Sequence, residues 1–100
     1  MPTATVHIAA DDLELSGSYE ATGDVLYLSA SGDEKTVAAQ ETPEGHAVRL
    51  DRDGRVTHVT AINARWLLDQ NGELVATLRD GRRLRIDRRD VSELLGDASP

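Results

Sequence analysis

Three histidines, a dense run of arginines and scattered carboxylates are the residues of this chain whose types could carry chemistry. His46 and His58 flank an Asp53-Gly54 turn signal, so a hairpin there brings them onto neighbouring strands. Neutral imidazoles so placed can ligate a transition metal, with Asp51 or Asp53 as carboxylate partners. Two histidines fall short of the three or four ligands a site needs, and neither H-x-H nor helical i, i+4 spacing is present. The expectation is that both are ordinary strand residues and that no metal or cofactor is bound. A metal- or ligand-binding site, or a small enzyme, centred on His46 and His58 is the alternative.

The second cluster is Arg79, Arg82, Arg83, Arg85, Arg88 and Arg89, with Asp80, Asp87 and Asp90 interspersed. Guanidinium groups grip phosphates in bidentate fashion, so Arg82, Arg83 and Arg85 are candidate binding residues. No aromatic is interleaved for base stacking, which makes nucleic acid the weaker reading. Alternation with Leu84 and Ile86 instead describes the solvated face of a hairpin, available to a protein partner. Asp51-Arg52-Asp53-Gly54 has the opening of a calcium loop but lacks the later oxygen ligands and the closing Glu, so it reads as a turn. Ser16, Ser18, Ser29, Ser31 and Ser92 lack a nucleophile-elbow setting, and no phosphate-binding glycine motif occurs.

Composition narrows the rest. The chain has 100 residues, 39% apolar and 29% charged, with no cysteine, which points to one domain with a modest core. Without cysteine there is no disulfide framework, thiolate zinc site or cysteine nucleophile. Trp66, Tyr19 and Tyr27 are the only aromatics, so the core must be built from Leu, Val, Ile and Ala. Formal charge is −7 and the isoelectric point is about 4.8, a field that opposes nonspecific binding to nucleic acid or anionic lipid. The acid surplus is local. Residues 1–48 hold nine acids against Lys35 (−8), while residues 49–100 hold ten Arg against nine acids (+1). No secretion signal is recognisable in residues 1–10 and no apolar run approaches the ~20 residues of a membrane span, so a cytoplasmic protein is expected.

The elements that would position these residues are short strands between turn signals at 21–24, 31–34, 42–45, 53–54, 71–72 and 80–81. Leu13 and Leu15 lead toward Tyr19, Val25–Leu28 is a compact strand, and Ala47–Leu50 enters the Asp53-Gly54 turn. Arg55–Ile62 leaves it with two competing faces, Thr57/Val59/Ala61 against Val56/His58/Thr60/Ile62. The clearest hairpin joins Leu74–Arg79 to Arg82–Asp87, with Leu74, Ala76, Leu78, Leu84 and Ile86 on one face. Asp87 or Asp90 can cap a short C-terminal helix carrying Val91, Leu94 and Leu95, with Asp90 and Glu93 at capping-box spacing and Gly96 as its stop. Residues 97–100 then form a frayed tail.

Asn63–Gln70 is divided between a helix and a strand, and the strand is favoured, with Asn71-Gly72 as a hairpin turn. Trp66, Leu68 and Val75 would then share one face, opposite Leu67 and Leu74. A ribbon apolar on both sides needs a second surface, which predicts a homodimer interface at Trp66, Leu68 and Val75.

Tyr19-Glu20-Ala21-Thr22-Gly23-Asp24-Val25-Leu26-Tyr27-Leu28, followed by Glu44-Gly45-His46-Ala47-Val48-Arg49-Leu50-Asp51-Arg52-Asp53-Gly54-Arg55-Val56, resembles a small bacterial family, domain of unknown function 2283. The likeness spans roughly residues 18–64. It implies a β-rich fold and brings no established activity with it. The combined expectation is a single, mainly β domain over residues 1–96, of antiparallel hairpins forming a small roll or partly open barrel with a short C-terminal helix. Its expected role is a non-enzymatic interaction module engaging a protein partner or itself.

Overall fold

The computed structural model describes residues 5–8, 13–30 and 36–96 of the chain. The expected turn at 31–34 and the frayed tail at 97–100 lie outside the described residues. Period-two patterning becomes strand nearly wherever it occurs: β1 (Thr5–Ile8), β2 (Leu13–Glu20), β3 (Val25–Ala30), β4 (Ala38–Glu41), β5 (Ala47–Leu50), β6 (Val56–Ile62), β7 (Glu73–Thr77) and β8 (Arg83–Asp87). Six of them form one antiparallel sheet in the order β1-β2-β3-β6-β5-β4, and β7-β8 form a separate ribbon. The protein is therefore mainly β, as expected, and open rather than closed. Among the described residues no helix is long and apolar enough to cross a membrane.

Register sorts each strand into an inner and an outer face. Leu28 stands opposite Val59, which stands opposite Val48, and Leu26 stands opposite Ala61; all of these are buried. On β6 a bulge settles the competition between faces. Arg49 pairs with His58 but Leu50 pairs with Val56, so Thr57 is the extra residue, and both Val56 and Thr57 are buried. The buried Thr57 hydroxyl is satisfied by the Arg49 carbonyl (3.2 Å) and the Thr36 hydroxyl (3.0 Å). Beyond the bulge Val59 and Ala61 point inward, while His58, Thr60 and Ile62 point outward. On β2, Gly17 permits a close approach of β3. A Cβ there would lie 1.7 Å from the Tyr27 carbonyl oxygen.

The β7-β8 ribbon packs its apolar face against the inner face of the sheet. Leu74, Ala76, Leu78, Leu84 and Ile86 join the sheet residues in one buried cluster, which confirms the hairpin expected from their alternation. β8 lies against β1, and the ribbon's tip is bracketed to the β5–β6 turn by Arg82, whose Nη2 donates to the Gly54 carbonyl (2.6 Å). That turn is held as the Asp-Gly pattern requires. Asp51 Oδ1 accepts the N–H groups of Asp53 and Arg55 (2.9 Å each), and Gly54 is left-handed.

Residues 63–70 correct the favoured strand expectation. Ala64–Asn71 is an α-helix, α1, ended by left-handed Gly72, whose N–H donates to the Leu68 carbonyl. The capping residue Asn63 makes no side-chain cap, and the helix start is satisfied from elsewhere in the chain. Asp24, at the β2–β3 turn, accepts the Ala64 N–H on its carbonyl (3.0 Å), the Arg65 N–H on Oδ1 (2.7 Å) and the Trp66 N–H on Oδ2 (3.3 Å). Tyr19 donates its phenol to the same Oδ1 (2.7 Å). A carboxylate at the positive end of a helix supplies what a local cap would, and the helix wins because its donors are already met. Leu68 is consequently 0% exposed and Trp66 60% exposed. Trp66, Leu68 and Val75 do not share a face, and the two-sided ribbon on which the dimer expectation rested does not form.

The C-terminal segment is a 3₁₀ turn, Arg88–Val91, followed by turns to left-handed Gly96 rather than a regular helix. Asp87, not Asp90, is its cap, accepting the Arg89 N–H at 2.9 Å. Val91, Leu94 and Leu95 are buried as expected, and Arg65 Nη2 fixes the segment to α1 through the Leu95 carbonyl (2.6 Å).

Candidate functional site

His46 and His58 end up on opposite faces of the sheet. Ala47 pairs with Thr60, and alternation turns His46 inward and His58 outward. His58 stands opposite Arg49 and Ser29 on the uncovered outer face, above a depression of about 390 Å³ that also involves Tyr27 and Thr60. Its Nδ1 lies 3.0 Å from the Thr57 hydroxyl, and no hydrogen bond joins it to Ser29, so the two do not form a nucleophile–base pair. Among the described residues no three His, Asp or Glu side chains are placed to hold a metal ion.

His46 has a different environment. It closes the β4–β5 hairpin, where Thr42 N–H donates to its carbonyl (2.8 Å) and its own N–H donates to the Thr42 hydroxyl (3.1 Å). His46 is 2% exposed, and its Nδ1 accepts the Ile62 N–H at 3.2 Å. That bond requires a bare Nδ1, so the proton sits on Nε2. Nε2 is buried and has no hydrogen-bond partner among the described residues. Burial pushes the imidazole below the usual histidine range, and the Glu44 charge pulls it partly back. His46, its Nε2 buried, forms part of the wall of a cleft of about 400 Å³. Leu67 and Asn71 of α1 form another wall, and Glu73–Val75 of β7 the third.

The β7 wall is a strand edge. Leu78 N–H donates to the Arg82 carbonyl and Arg88 N–H to the Gly72 carbonyl, so residues 72, 74, 76 and 78 face β8. Residues 73, 75, 77 and 79 turn their main-chain groups to the other edge. Two of those donors are met by side chains from the β4 side: Glu44 Oε1 accepts the Thr77 N–H (2.9 Å) and Gln40 Oε1 accepts the Arg79 N–H (3.0 Å). Glu44 Oε2 also takes the Thr77 hydroxyl (2.5 Å). Burial would raise the Glu44 carboxyl, but these bonds outweigh it and hold the group below the usual carboxylate range. The seam between β4 and β7 is thus bridged by side chains where a ladder would otherwise run. The bridge separates the His46 cleft from a second cleft between Glu41–Pro43 and Thr77–Arg79. Val75 lines the His46 cleft, and its main-chain groups lie on the edge away from β8.

The arginines divide by role. Arg82 pairs with Asp80 (2.7 Å) besides holding Gly54, Arg88 pairs with Asp69 (2.9 Å), and Arg89 reaches Asp87 (3.4 Å). Arg83 and Arg85 stand exposed on the ribbon's outer face, opposite Thr77 and Val75. Arg82 is thereby a structural bracket, whereas Arg83 and Arg85 remain surface groups. Sequence reasoning missed Glu44, Gln40 and Asp24. Asp24 and Glu44 lie in turn signals and Gln40 on β4, but the target of each is more than thirty residues away and carries no local mark.

Comparison with family models, curated protein sequences and solved structures finds no match.

Proposed function

We propose that the protein is a cytoplasmic, non-enzymatic interaction module that receives an extended segment of a partner protein on the open edge of β7. The observation that carries it is the pairing pattern of that edge. Glu44 and Gln40 meet the Thr77 and Arg79 donors as a neighbouring strand would, while Val75 presents its N–H and C=O to a cleft. Exposed main-chain ladders recruit strands, and alternate side chains of the added strand fill pockets beside them. Kinship with domain of unknown function 2283 belongs to the same proposal; its two hallmark stretches correspond here to the β2–β3 and β5–β6 hairpins, and it adds no chemistry.

Selection of a displayed random heptapeptide library on the immobilised protein tests this function. Recovered peptides should shift the Val75 and His46 resonances and lose binding to a Val75→Pro variant. Proline at this position removes the outward N–H and leaves the β7–β8 ladder intact. Recovery of no peptide, or of peptides that shift only Tyr27 and His58 or only Arg83 and Arg85, would overturn the assignment. A doubling of mass in light scattering that Val75→Pro abolishes would make the added strand that of a second copy.

A further inference from the structure

We infer that the segment taken by this edge is cationic and alternating, with an apolar side chain turned into the cleft and a lysine or arginine set beside Glu73. The inference rests on strand addition at β7 and names the chemistry of what is added. The charged residues lining the cleft are Glu44 and Glu73, both acidic. Glu44 is held ionised by its bonds to Thr77. Glu73 stands directly opposite Asp87 in the β7-β8 register. Two carboxylates in facing positions of one ladder repel; Arg89 answers Asp87 at 3.4 Å, and a cation alongside Glu73 answers the other. Asp87 stays ionised because the Arg89 N–H and guanidinium hold its carboxyl below the usual range.

A third feature has the same sign. The negative end of the α1 dipole reaches the cleft at Asn71, and the last turn of α1 carries no basic residue. Against these, Arg85 stands opposite Val75 and Arg83 opposite Thr77, both on β8 and so one strand further from an added chain. On the outer face of the ribbon, Glu73 is thus the carboxylate nearest an added chain, while Asp87 across from it is already answered by Arg89. An added strand places alternate side chains on that face, next to Glu73 and Val75. The intervening side chain points inward, where Leu67 and Leu74 form an apolar wall around the His46 ring. A basic residue flanked by apolar ones meets all of these surfaces, and an acidic counterpart would face Glu73, Glu44 and the helix end together.

Three acetylated, amidated pentapeptides test the inference: Val-Lys-Val-Lys-Val and its forms with Glu or Thr in place of Lys. Titration into labelled protein at low salt reads affinity and the Val75 amide shift together. The lysine peptide should bind about tenfold more tightly than the glutamate peptide, with threonine between, because attraction to partly exposed carboxylates is replaced by repulsion of similar size. Added salt should narrow the gap. Glu73→Lys should reverse the order, and Glu73→Gln should reduce it to within about twofold, while both variants keep the native fold by circular dichroism. Equal binding of all three peptides, with the Val75 shift intact, would overturn the charge inference and leave strand addition standing. Absence of any Val75 shift with all three would overturn both.

Discussion

Asp24 is the residue on which the position of α1, and so one wall of the cleft, depends. Its side chain accepts the Arg65 and Trp66 N–H groups and the Tyr19 phenol, at 2.7, 3.3 and 2.7 Å. Loss of a helix cap costs about 0.5–2 kcal/mol. Loss of a hydrogen bond from a phenol to a charged acceptor costs about 1.5–3 kcal/mol. The groups are neighbours, so the costs overlap, and Asp24→Gly should lose about 2–4 kcal/mol. Glycine is the informative choice because Asp24 has φ +54°, where alanine adds strain of its own. Asp24→Asn retains an oxygen acceptor and tolerates that backbone, so it should cost only about 1 kcal/mol. Urea unfolding followed by circular dichroism and Trp66 fluorescence measures both. A glycine variant within about 0.5 kcal/mol of the parent, or an asparagine variant as unstable as glycine, would refute the remote-cap account.

Other outcomes follow from the same contacts. Gly17→Ala should prevent native folding or cost more than about 3 kcal/mol, since its Cβ would sit 1.7 Å from the Tyr27 carbonyl oxygen and backbone must move; a native-like unfolding midpoint would contradict the close approach. Leu68→Ala should cost about 2–5 kcal/mol while Trp66→Ala changes stability by under about 0.5 kcal/mol, an asymmetry that equal effects in chemical denaturation would deny. Acid should act in two stages. The depressed His46 imidazole gives stability that is present above about pH 6.5 and lost as pH falls through its folded value. The depressed carboxyls of Asp24 and Glu44 give stability that is lost below about pH 4. In His46→Gln, which keeps an acceptor for the Ile62 N–H, urea midpoints should lack the first stage; an unchanged profile would remove His46 as its cause.

The hairpins were legible in the sequence because their patterns are local. Leu74, Ala76, Leu78, Leu84 and Ile86 alternate on both sides of an Asp-Gly turn, and all five are buried. The face of β6 was not legible, because one bulged residue, Thr57, shifts the alternation and only pairing with β5 reveals it. Residues 63–70 misled for a similar reason. Asn63 offers no side-chain cap, and the donors of α1 are met by Asp24, some forty residues earlier. His46 could be singled out by type, but its burial, its tautomer and its separation from His58 follow from register. The bridge of Glu44 and Gln40 across the seam has no sequence signature, since a Glu in a Pro-Glu-Gly turn reads as solvent-facing polarity.

Hydrogen exchange of the Val75 amide is the most direct test of strand addition. In the free protein that N–H faces the cleft rather than β8, so it should exchange rapidly, unlike the Ala76 amide, which faces β8. Saturation with the Val-Lys-Val-Lys-Val peptide should slow Val75 by at least about tenfold and leave Arg83 and Arg85 unchanged. Binding that leaves the Val75 rate as it was would contradict the assignment of β7 as the receiving edge.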